Sequence, residues 1–61
     1  MKLTKPQLRL LTEILQRGSM HVADYYPPII KLREYGLVEQ GATGKYLVTR
    51  AGSQVVREAK R

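Results

Sequence analysis

The sequence has no cysteine, no tryptophan and no phenylalanine, a single histidine, and only five acidic residues among 61. Each absence removes a class of solution. Without Cys, neither a disulfide framework nor a thiolate metal site can stabilise so short a chain. Without Phe or Trp, the four tyrosines (25, 26, 35 and 46) are the only aromatic filler for a core. His21 has Ser19 before it and Asp24 three residues on, but no second carboxylate nearby, so no metal set or complete triad forms. No apolar run approaches the ~20 residues of a membrane span. Met1-Lys2-Leu3-Thr4 carries one basic residue with no continuous apolar segment behind it, unlike a signal peptide. Internal repeats and low-complexity segments are also lacking. The expectation is a cytoplasmic, non-enzymatic protein with no cofactor, no metal and no small-molecule ligand.

What the chain does have is positive charge. Eleven Lys and Arg against five Asp and Glu give a formal charge of +6 and a pI near 10.1. That surplus favours phosphate backbones or anionic surfaces as partners, while a merely solvated basic surface is the plainer alternative. Hydrophobic residues make up 43% of the chain, enough for one small core. A chain this short forms one domain, residues 1–61, and buries only roughly 60% of its unfolded surface. A protein partner or a second copy would add to that stability.

The densest signals lie between Pro28 and Gly52. Ile29, Leu32 and Tyr35 recur at helical spacing, and Gly36 supplies the left-handed residue that ends such a helix. Leu37 and Val38 begin an extended run, Gly41-Ala42-Thr43-Gly44 turns it, and Lys45 to Val48 brings it back. Thr49 suits the N-cap of a last helix with Gly52, Val55, Val56 and Ala59 on one face. Gly52 in its first turn suggests a close backbone approach. The cations from Arg57 to Arg61 suit a helix C-terminus.

Upstream, Thr4-Lys5-Pro6-Gln7 reads as a capping box with Pro in the first turn. Leu8, Leu11 and Leu15, with Ile14 beside them, mark the inward face, and Gly18 closes the helix. Glu13 and Arg17 are spaced to pair. Ser19 to Tyr26 supports two readings: Met20 and Val22 on a short strand against the hairpin, or a helical turn over Ala23 to Tyr26. Pro27-Pro28 belongs to the first turn of the second helix. The fold expected is α+β, three helices with a two- or three-stranded sheet.

Gly41-Ala42-Thr43-Gly44-Lys45 has the flavour of a phosphate loop, but Tyr46 stands where the hydroxyl residue belongs and a strand follows, so it reads as a hairpin turn. Tyr46 shares a strand face with Val48 and reads as core, and Tyr35 as cover for the helix end. Tyr25 and Tyr26 are the aromatic candidates for surface work. The extended segments lack a paired aromatic platform for RNA.

Ile29-Ile30-Lys31-Leu32-Arg33-Glu34-Tyr35-Gly36-Leu37-Val38-Glu39 resembles the end of the recognition helix in winged helix-turn-helix proteins. Tyr46-Leu47-Val48-Thr49-Arg50-Ala51-Gly52 is similar to the strand-to-helix passage after the wing in the multiple-antibiotic-resistance-regulator kind. Thr4 to Leu15 is similar to the first helix of these domains. Between Gly18 and Ile29 the family has about one helix and a turn, whereas this chain has only Ser19 to Pro28, so the positioning helix is shortened or missing.

The resemblance implies a small winged-helix-like domain with a β-hairpin wing that binds double-stranded DNA as a small transcriptional regulator, and the limited contact area of one such module makes a homodimer one expected form. It places Lys31 and Arg33 on the recognition helix, Lys45 at the wing tip and Arg50 at the hairpin exit. Tyr25 and Tyr26 fall at the base-reading end. Long basic arms neutralise phosphates, and a helix fits a major groove. The alternative is a protein–protein interaction module on a degenerate scaffold of this kind, anchored by Tyr25, Tyr26, Pro27 and Pro28.

Overall fold

The computed structural model describes residues 2–59; Lys60 and Arg61, counted above among the cations of the tail, lie outside them. Three helices and one antiparallel hairpin follow in the order α1 (Lys5–Arg17), α2 (Pro27–Glu34), β1 (Val38–Gln40), β2 (Tyr46–Val48) and α3 (Arg50–Ala59). The chain is a compact α+β domain with its hairpin between the second and third helices.

Local chemistry starts and stops each helix. Thr4 Oγ1 accepts the Gln7 N–H and Gln7 Oε1 accepts the Thr4 N–H, closing the capping box at 3.3 and 3.1 Å. Gly18 follows Arg17 as the C-cap. Pro27 and Pro28 occupy the first turn of α2, where a missing N–H costs nothing.

The end of α2 is a Schellman motif. Gly36, at φ +73°, donates to the Arg33 carbonyl, and Leu37 donates to the Leu32 carbonyl, both at 3.0 Å. Leu37 then enters the core, only 2% exposed, and the chain turns straight into β1. Val38, Glu39 and Gln40 pair with Val48, Leu47 and Tyr46. The hairpin closes with a Gly44 N–H to Gly41 carbonyl bond at 3.0 Å, and Gln40 Nε2 donates to the Gly44 carbonyl at 2.9 Å.

The core comprises Leu10, Leu11 and Ile14 of α1, Ile29 and Leu32 of α2, Leu37, Val38, Tyr46, and Val56 of α3. On α1 this corrects the expected face. Leu10 is buried, whereas Leu8 and Leu15 are only partly so. Because α2, β2 and α3 all pack against α1, a wider arc is covered than one apolar stripe, and its centre moves by about one position. On α3, Gly52 and Val56 are buried, Val55 is partly so, and Ala59 is exposed. Tyr35 is the C-cap of α2 and is 42% exposed, so it covers the helix end in part.

Neither reading of residues 19–26 holds in full: the strand is reduced to one bridge at Met20, and the helical turn to a single hydrogen-bonded turn. Met20 forms an isolated antiparallel bridge with Tyr46, its N–H donating to the Tyr46 carbonyl at 3.1 Å and its carbonyl accepting in return at 2.9 Å. Ala23 to Tyr26 then make a turn closed by the Tyr26 N–H on the Ala23 carbonyl at 3.0 Å. The sheet therefore has two strands and one added bridge. Among the described residues, no helix is long and apolar enough to cross a membrane.

Candidate functional site

Tyr46 is the residue around which the candidate site is assembled. Its ring is fully buried, yet its hydroxyl donates to Asp24 Oδ1 at 2.7 Å, tying β2 to the turn that precedes α2. Its backbone pairs with Met20. The Arg33 guanidinium of α2 lies 5.9 Å from the ring centroid, within cation–π range. Three segments remote in sequence thus meet on one side chain. Burial holds the phenol above its ordinary pKa of 10.0, and the hydrogen bond to Asp24 reinforces it, with the Arg33 charge opposing. Tyr46 is consequently a protonated donor at neutral pH.

Arg33 and Lys31 are both exposed, as their outward assignment requires, but they leave α2 on different flanks. Residues two apart on a helix do not face one another. Arg33 turns to β2. Lys31 turns to the start of α1, bordering a groove with Thr4, Pro6 and Gln7, and its Nζ lies 3.6 Å from Glu34 Oε2. The structure therefore groups Arg33, not Lys31, with the hairpin side of the helix. Lys45 stands exposed in the hairpin turn, and Arg50 is the exposed first residue of α3. Thr49, between them, accepts the Gly52 N–H at 3.2 Å as the N-cap.

Of the carboxylates, Glu39 on β1 is exposed without an ion-pair partner among the described residues, and three others are engaged. Glu34 faces Lys31, Asp24 holds Tyr46, and Glu13 on α1 lies 3.7 Å from Arg17. Arg33, Lys45 and Arg50 have no ion-pair partner among the described residues. Tyr25 is 84% exposed and Tyr26 46%, so both project from the turn at the entrance to α2.

His21 and Asp24 are not joined, since Asp24 is given to Tyr46, and among the described residues no acidic, His or Cys side chains cluster as a metal site would require. Sequence reasoning missed the Asp24–Tyr46 bond, which links residues 22 apart and leaves no local trace. Ile30, read from its spacing as lying between the inward and outward faces of α2, is 40% exposed.

Against protein-family models, curated proteins and solved structures, the chain has no match.

Proposed function

We propose that this chain is a non-enzymatic DNA-binding protein of winged-helix type, a small regulator that meets duplex DNA with α2 and its hairpin. The observation that carries the reading is the position of three exposed cations on or beside the hairpin. Arg33 sits on the flank of α2 nearest β2, Lys45 in the hairpin turn and Arg50 at its exit, on a chain of net charge +6. The hairpin is bolted to the helix through Leu37, so cations on both elements hold a constant relation. Such a pair of elements can set a helix against a groove while the hairpin follows the adjoining phosphates. The Arg33 guanidinium stands 5.9 Å from the Tyr46 ring centroid, beside its phenol, and has five N–H donors with which to reach a phosphate as well.

Fluorescence anisotropy with a labelled duplex tests this. Binding is expected at low salt and to weaken linearly in log–log form as salt rises. Arg33→Ala and Lys45→Ala should each lower the salt slope by about one. Lys31→Ala should lower it less, because that cation leaves the opposite flank and is already beside Glu34. No binding at low salt, or a salt-independent affinity, overturns the proposal.

The exposure of Tyr25 and Tyr26 favours one second reading, a protein-contact module on the same scaffold. Replacing both with Ala separates the two. Unchanged duplex affinity assigns the tyrosines to a protein partner, and weakened affinity assigns them to DNA.

A further inference from the structure

Opposite the hairpin side of α2, the first turns of α1 and α2 enclose a groove of about 430 Å³. Pro6, Pro27, Pro28 and Ile30 form its apolar wall. The polar residues beside them, Thr4 and Gln7, have their side-chain oxygens committed to the capping box. Lys31 is then the one charged group at its edge. An adjoining depression across Pro6 is bordered by Lys5, Arg9 and Tyr26, with Glu13 also present but beside Arg17. Ile30 is 40% exposed here, an aliphatic side chain with no partner in the fold.

We infer that this groove docks an acidic segment of another protein, inserting an aliphatic side chain between Pro6 and Ile30 with carboxylates on either side. One carboxylate meets Lys31, whose contact with Glu34 is solvent-exposed and easily exchanged. The other meets Lys5 or Arg9. A second copy of the chain is a poor occupant, because a two-fold contact would bring two identical cationic rims together. Nucleic acid supplies the anions but no aliphatic anchor. Ile30 also borders a depression with Arg33 and Glu34, so the groove adjoins that flank of α2 but lies away from the hairpin turn, and the inference stands without the duplex reading.

The test uses the full chain labelled with ¹⁵N and three probes. These are a short synthetic peptide alternating Leu with Glu, the same peptide with Gln for Glu, and single-stranded oligothymidine. The acidic peptide should shift the amides of Gln7, Ile30 and Lys31 while leaving Ala42 and Thr43 unmoved. The Gln peptide should bind about fivefold to tenfold more weakly, as expected for two screened charge pairs. Ile30→Glu, at an exposed position that the fold tolerates, should abolish peptide binding and preserve the spectrum elsewhere. Lys45→Ala, in the hairpin turn, should leave peptide binding unchanged, so failure here is distinguishable from failure on DNA. Equal affinity for the Gln peptide, shifts centred on the hairpin, or oligothymidine displacing the peptide from these amides would each overturn the inference.

Discussion

Two connections govern this domain, and they are built in opposite ways. The passage from α2 into β1 is over-determined, whereas the passage from α1 into α2 is pinned at only a few points. At the first, Gly36 and Leu37 close the Schellman motif, the Leu37 carbonyl accepts the Thr49 N–H at 3.0 Å, and Thr49 Oγ1 donates to the Gly36 carbonyl at 2.7 Å. Gly52 packs directly on the same Leu37 carbonyl. At the second, the Met20 bridge, one turn bond and the Asp24–Tyr46 contact hold eight residues, Ser19 to Tyr26, among which none is fully buried. Rigidity sits where helix and hairpin must keep register. Latitude sits at the entrance to α2, where the exposed tyrosines stand.

Breaking the tight connection should be most costly at Gly52. A Cβ there would lie 2.8 Å from Val48 Cγ1 and collide with the Leu37 carbonyl, which is backbone and cannot step aside. Alanine would otherwise favour the helix by about 1 kcal/mol. The clash should reverse that sign and cost a net 3 kcal/mol or so. A domain of this size holds only roughly 3–5 kcal/mol in its core. Gly52→Ala should therefore retain at most about 2 kcal/mol of stability, with a measurable unfolded fraction at 37 °C by circular dichroism and a much lower urea midpoint.

Gly36→Ala sharpens the comparison at lower cost. Nothing lies within 4 Å of the added methyl, so the penalty is that of the left-handed backbone alone. It should be about 1–2 kcal/mol, seen as a lower urea midpoint with an unchanged slope.

Tyr46→Phe loosens the other connection. Losing its hydroxyl should cost about 1 kcal/mol, since Asp24 is exposed and can turn to water. Amide exchange should accelerate from Met20 to Tyr26 and change little around Leu37. The same variant carries a pH signature. The folded state keeps the Tyr46 proton to higher pH than the unfolded chain does, so this stabilisation is fully present below the unfolded value near pH 10 and is lost as pH rises from there through the folded value. Wild type should lose stability in that alkaline range with a steeper slope than Tyr46→Phe. Equal slopes would break the link between the buried phenol and the turn.

The same contrast decides what was legible in the amino acids. The capping box at Thr4, the stop at Gly36, the cap at Thr49 and the close approach at Gly52 are backbone requirements met within a few residues, so residue type reveals them. The bond from Asp24 to Tyr46 is set by how three elements pack, and neither residue announces the other. The wider inward face of α1 also depends on neighbours that spacing alone does not supply. Of the candidate site, the outward placement of Lys31 and Arg33 is legible from spacing, but their divergence is not drawn from it, and the resemblance groups both on one DNA-facing helix. What remained hidden was the direction each flank takes, because that depends on where α1 and β2 come to rest.

Leu37 has a mechanical consequence. Its N–H is anchored in α2 and its carbonyl receives the chain entering α3, so the two helices share one fulcrum rather than a compliant joint. A torque applied to α2 by whatever it touches is delivered to α3 with little slack, and the last helix works as the output arm of the first contact.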